Sequence, residues 1–155
     1  MRAVIQRVAR ARVTIAGTEI AAIGPGLVAL VAVARNDARH DFEWMARKIV
    51  GLRVFDDADG KMNLSLRETE GRLLVVSQFT LYGDCRKGRR PSYSDAAPPD
   101  VAESMYVEFL GIVRELVPDL QTGRFQAAME VEILNSGPVT LILDSPGRPV
   151  SMETA

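Results

Sequence analysis

The run Leu27-Val28-Ala29-Leu30-Val31-Ala32-Val33 constrains the chain more than any other segment. Apolar residues without polar alternation read as a β-strand buried on both faces, so structure has to cover it from two sides. Gly24-Pro25-Gly26 breaks the chain directly before it. Extended through Ala34 the run is eight residues long, less than half of the roughly 20 that span a bilayer as a helix. Leu73-Val76 repeats the pattern after Gly71-Arg72 and runs straight into Ser77-Gln78-Phe79-Thr80-Leu81.

Other segments supply the cover. Arg12 to Ala16 alternates polar and apolar, Gly17-Thr18 forms a turn, and Glu19 to Ile23 returns as a hairpin partner. Asn36 or Asp37 caps a helix to about Leu52, with Phe42, Met45, Ile49 and Leu52 on one face. Asp56 to Gly60 is a turn. Pro99-Asp100 opens a second helix, with Glu103 at capping-box spacing from Asp100. Val101, Met105, Phe109, Ile112, Val113 and Leu116 form its apolar stripe, and Pro118 ends it. Met129 to Ile133 and Val139 to Leu143 read as two strands, interrupted by Asn135-Ser136-Gly137-Pro138. Residues 82–98 have no period, and so long a loop in a compact chain is uncommon. Two helices among about seven strands predict an α+β fold: a curled, mostly antiparallel, barrel-like sheet with two main helices packed on it. Residues 1–145 form one domain in this reading, and residues 146–155 a loose tail.

Composition then narrows the chemistry. The 155 residues are 47% apolar and 25% charged, as in soluble domains. Cys85 is the only cysteine and excludes an intramolecular disulfide; with His40 as the only histidine it also excludes Cys/His zinc sites. No metal or cofactor is expected. Ser-His-Asp chemistry has to run through His40 or not at all. Net charge is −1, so bulk electrostatics announce no nucleic-acid partner. Of 19 cations three are lysines (Lys48, Lys61, Lys87) and 16 are arginines, whose planar donors suit phosphate, although a compositional bias of the source is the simpler account of their number. Arg2 and Arg7 interrupt the apolar N-terminus, unlike a signal peptide, and a soluble cytoplasmic protein without membrane partners is expected.

Four features carry possible chemistry. Cys85 beside Arg86 and Lys87 is either a thiolate nucleophile or an ordinary loop cysteine. Arg86, Lys87, Arg89 and Arg90, flanked by Tyr82 and Tyr93, form either a phosphate clamp with rings for unpaired bases or a solvated loop. Ser77-Gln78-Phe79-Thr80 ends a buried strand; its hydroxyls lack a nearby base, while Gln78 and main-chain N–H groups can face an oxyanion, or simply satisfy local backbone. Gly137-Pro138 sits where a tight hairpin would prefer other residues, so that connection is shaped for some purpose.

Together these segments resemble the D-aminoacyl-tRNA deacylases. The resemblance rests on Ser77–Leu81, on Gly83–Ser92 and on Asn135–Thr140, with Met1–Val8 and Ile23–Leu27 also similar, and it covers roughly residues 1 to 145. It implies a homodimeric enzyme that cleaves the ester between a D-amino acid or glycine and the terminal ribose of tRNA. It also implies a cis Gly137–Pro138 bond that projects into the partner's pocket, where backbone carbonyls stand against the place an L side chain needs. Gly137, Pro138, Val139 and Thr140 would bind substrate and reject L-amino acids. Ser77, Gln78, Phe79 and Thr80 would form the catalytic pocket, and Arg86, Lys87, Arg89 and Arg90 would hold tRNA. The family pattern has threonine at the position of Cys85, which argues against a role for the thiol. An activated ester needs water, positioning and an oxyanion donor more than a strong nucleophile, which suits a chain with one histidine. The alternatives are a dimeric RNA- or DNA-binding module using loop 86–90 without chemistry, and a general esterase using Cys85 and His40.

Overall fold

The computed structural model describes residues 1–146; the expectation of a loose tail lies, past Pro146, outside them. The doubly apolar run is strand β3 (Gly26–Ala32), and it lies inside the sheet as its composition demands. On one edge it pairs antiparallel with β1 (Arg2–Ile15), on the other parallel with β6 (Arg72–Ser77). β1 also pairs antiparallel with β2 (Thr18–Ile23) and with β8 (Glu130–Asp144), and the short β7 (Gln121–Thr122) extends β6 in parallel. β4 (Phe55–Asp56) and β5 (Met62–Leu64) make a separate small ribbon.

The α+β reading holds, with a nearly closed sheet carrying helices α1 (Arg39–Gly51) and α2 (Pro99–Leu116). The sheet is mixed. Chain returning through α1 enters β6 parallel to β3, as a helical crossover permits.

Alternation along β3 and β6 splits the interior into two cores. Leu27, Ala29, Val31, Leu73 and Val75 face the helices, where Phe42 and Phe109 meet edge-on at 6.5 Å. Val28, Leu74 and Val76 face the inside of the curl, with Val8, Val13 and Ile23. β1 serves both: Ala3 and Ile5 belong to the helix-side core, Val8, Ala11 and Val13 to the inner one. The change of face falls between Ile5 and Val8, where the pairing with β8 also shifts register. Opposite it, Gln6 pairs with Thr140 and Val8 with Asn135, which leaves the four residues 136–139 facing Arg7 alone in a bulge.

Four local expectations change. Met129–Ile133 and Val139–Leu143 are not separate strands but the two halves of β8, because β1 is one continuous partner for both. Asp37 does not cap α1: its carboxylate takes the Met1 ammonium at 2.5 Å and the Ala34 N–H at 2.7 Å, and the helix starts after Ala38. Asp41 reaches back to the Ala38 N–H instead, at 3.0 Å. On α2 the cap is Pro98 without a side-chain bond, so Asp100 and Glu103 form no capping box. Its stripe is rotated as well: Val101 is exposed, while Ala102, Tyr106 and Leu110 join Phe109, Ile112 and Val113 inside.

Candidate active site

β6 is buried from Leu73 to Val76 and stops at Ser77. The Gln78 N–H still donates to the Val31 carbonyl at 2.7 Å, after which Phe79–Tyr82 turn as one 3-10 helix. That end opens on a cleft of about 890 Å³, walled by Ala32 and Val33, by Ser77–Phe79, by Tyr93 and Ala96–Pro99, and by Phe125–Ala127 and Met129. Phe79 is 55% exposed and lies edge-on to Tyr93 at 5.1 Å. The Thr80 hydroxyl accepts from Gln78 Nε2 at 2.5 Å. An amide N–H₂ donates and cannot take a proton, so Thr80 has no base. Behind the cleft, the Tyr106 hydroxyl donates to the Val75 carbonyl at 3.2 Å, and its ring stacks on Phe125 at 5.8 Å. Burial pushes that phenol well above its usual range and keeps it neutral.

The second motif forms the bulge of β8. The Gly137–Pro138 bond is cis, as the resemblance implies, and both residues are exposed. Gly137 has φ +117, and a Cβ there would stand 2.8 Å from Arg7 Nη2 and 2.9 Å from Val139 Cγ2. Arg7 braces the bulge, with Nε donating to the Ser136 carbonyl at 3.2 Å while Nη1 donates to Val54 O at 2.8 Å and Asp56 Oδ1 at 3.2 Å. Asn135 Nδ2 closes it from within, donating to the carbonyls of Arg7 (3.0 Å) and Val139 (2.9 Å). Thr140 accepts from Gln6 Nε2 at 3.2 Å. None of Gly137, Pro138, Val139 and Thr140 lines the cleft of its own chain.

The aperiodic segment is pinned by a two-bond bridge between Asp84 and Ser92. Arg86 folds back onto Asp84 through Nε at 2.9 Å and Nη2 at 2.7 Å, which holds that carboxyl down at about 2. Lys87, Arg89 and Arg90 are exposed and form no ion pair among the described residues. Of the four cations, then, three are free and one is neutralised. Cys85 is exposed, with only the Gly83 carbonyl at 4.0 Å, and His40 pairs with Asp41 at 3.2 Å. No Cys–His couple exists, and the general-esterase reading loses its chemistry. Among the described residues no three His, Cys, Asp or Glu side chains could share a metal ion.

The fold thus brings Ser77, Gln78 and Phe79 to one cleft and leaves Thr80 out of its lining, with the β8 bulge and the basic loop elsewhere. Arg7, Tyr106 and Phe125 escaped the sequence reading. Arg7 and Tyr106 act through partners distant in the chain, and Phe125 stands in a stretch without periodicity.

A family model described as D-Tyr-tRNA(Tyr) deacylase matches residues 4–144. The D-aminoacyl-tRNA deacylase of Desulfatibacillum aliphaticivorans is 57% identical over 145 residues, 94% of this chain and 99% of that protein. A solved structure of the c-Myc DNA Unwinding Element Binding Protein is 42% identical with a TM-score of 0.90, covering 95% of this chain and all of the other. A probable eukaryotic D-amino acid tRNA deacylase, 17% identical with a TM-score of 0.79 over 92% of this chain and 97% of its own, shares the fold. These likenesses define an α+β hydrolase of carboxylic esters. The chain belongs to the D-aminoacyl-tRNA deacylase family. Among the described residues no helix is long and apolar enough to cross a membrane.

Proposed function

We propose that this protein hydrolyses the ester joining a D-amino acid to the terminal ribose of tRNA, releasing both, as a chiral proofreading step of translation in the cytoplasm. The observation that carries the reading is a division within one chain: an open cleft at the end of β6, and an exposed, braced Gly137–Pro138 bulge lying outside it. A homodimer in which each bulge enters the partner's cleft reunites the two.

The chemistry then follows from the residues. Water adds to the ester carbonyl and makes a tetrahedral oxyanion. The N–H groups of Phe79 and Thr80 stand first in their 3-10 turn, have no acceptor within it, and are the oxyanion donors. Collapse breaks the bond to the ribose oxygen, which leaves with a proton. The neighbouring ribose hydroxyl orients the water, so Ser77, Gln78, Phe79 and Thr80 act by positioning. The carbonyls of Gly137 and Pro138, backed by Val139 and Thr140, occupy the space an L side chain needs; a clash worth about 3 kcal/mol rejects it roughly 100-fold. Glycine has nothing to clash, so glycyl-tRNA is hydrolysed too. Arg86, Lys87, Arg89 and Arg90 contact the tRNA backbone, with Arg86 the weakest while Asp84 holds it.

Purified protein is expected to release D-tyrosine from D-Tyr-tRNA and to spare L-Tyr-tRNA. No release, or equal release, defeats the reading. The likeness to the c-Myc DNA Unwinding Element Binding Protein favours a second reading, a dimeric nucleic-acid binder using loop 86–90 without chemistry. It predicts salt-dependent binding with no turnover in the same assay.

A further inference from the structure

A single charged side chain lines the cleft. Its walls are otherwise neutral, and the groups that can contact a flat ligand there are the rings of Phe79, Tyr93 and Phe125 and the amides of Gln78 and Gln126. The exception is Arg35, in the connection that leaves β3 for α1.

Both sides of that residue are fixed. Ala34 bridges to Ala96, its N–H donates to Asp37 at 2.7 Å, and the Ala97 N–H donates to the Val33 carbonyl at 2.9 Å. The guanidinium crosses towards the basic loop, where Nε donates to the Ser94 carbonyl at 3.1 Å. This contact uses one of the donors and leaves both Nη groups available. Arg35 is exposed and, among the described residues, has no carboxylate partner. Lys87, Arg89 and Arg90 do not line the cleft and cannot take its place there.

One cation, held in position beside stackable rings and amides, matches a ligand that is flat and neutral at one end and singly anionic at the other. A nucleoside carrying a phosphodiester has that pattern, and the guanidinium fork matches phosphate oxygens in pairs. We propose that Arg35 binds the phosphodiester linking the substrate's terminal nucleoside to the nucleotide before it. This rests on the deacylase reading and assigns an anion subsite to the same cleft.

The test compares D-tyrosyl-tRNA with 3′-O-D-tyrosyl-adenosine, which has no phosphate, in wild type, Arg35→Ala and Arg35→Lys. The readout is the preference for the tRNA ester, taken as the ratio of the two KM values. Arg35→Ala is expected to shrink that preference about tenfold, the scale of one charge-assisted contact, with kcat on tRNA kept. Arg35→Lys, with charge but no fork, is expected to fall between. A second arm needs no turnover: calorimetric titration with adenosine 5′-monophosphate and with adenosine, where wild type prefers the nucleotide and Arg35→Ala does not. An unchanged preference in an active enzyme overturns the contact alone. Equal losses on both esters also overturn it, because they mean that Arg35 acts by tying down the Ser94 loop. A wild type inert towards both esters overturns the deacylase reading, and the subsite with it.

Discussion

At Ser77–Thr80 a buried strand ends, the side chains of Gln78 and Thr80 bond to each other, and the N–H groups of Phe79 and Thr80 have no acceptor within their 3-10 turn. At Asn135–Val139 a strand carries on through a bulge, and side chains from β1 and from the bulge itself tie its carbonyls down. The first arrangement leaves N–H groups free to meet a ligand. The second fixes a shape that a ligand must fit. The proposed mechanism, which sorts by shape and reacts through main-chain donors, needs both kinds of region, and this chain keeps them on different strands.

The comparison breaks most visibly at Gly137. Gly137→Ala puts a side chain on a left-handed residue, 2.8 Å from the Arg7 guanidinium. Strain of about 1–3 kcal/mol is expected to distort the bulge and lower D-over-L selectivity by roughly 100-fold, measured by paired deacylation of D- and L-Tyr-tRNA. On the other side, Thr80→Ala should cost less than about 100-fold in kcat, since Gln78 gives the hydroxyl a donor and no base; complete loss in a folded variant would make Thr80 a nucleophile. Asn135→Ala removes two bonds inside the bulge. It should cost about 1–3 kcal/mol in chemical denaturation and about tenfold in selectivity, with the rate on D substrates less affected.

The basic loop allows a finer cut. Replacing Lys87, Arg89 or Arg90 by alanine should lower the slope of log KM against log salt by about 0.7–0.9 each. Arg86→Ala should lower it less, and Asp84→Asn should raise it by freeing that guanidinium. Smallest of all, Cys85→Ser should leave kcat/KM within about twofold, because the thiol has no imidazole and no bond closer than 4.0 Å.

How far these regions were legible in the sequence follows from how local their causes are. Leu27–Val33 and Leu73–Val76 declared their burial because an unbroken apolar run has one reading, and the spacing of Phe42, Met45 and Ile49 declared α1. β8 was legible only in halves. Asn135-Ser136-Gly137-Pro138 reads as a loop until β1, far away in the chain, is known to pair on both sides of it. Asp37 looked like a helix cap, and the Met1 ammonium, distant in sequence, takes its carboxylate. Ser77–Thr80 and Gly137–Thr140 were legible as motifs through the family resemblance. That they do not share a cleft within one chain was implied by the resemblance alone, since no spacing encodes it.

The change of face in β1 has a consequence for how the protein can vary. Ile5 packs under the helices, Val8 packs inside the curl, and the two residues between them cross from one layer to the other opposite Gly137. The bulge is therefore a joint between two separately packed interiors. A volume change in either is passed along β1 to the residue whose guanidinium braces the bulge. On the proposed role of the bulge, repacking in a core far from any substrate is expected to alter which amino acids are accepted, so loss of selectivity would give early warning of structural decay.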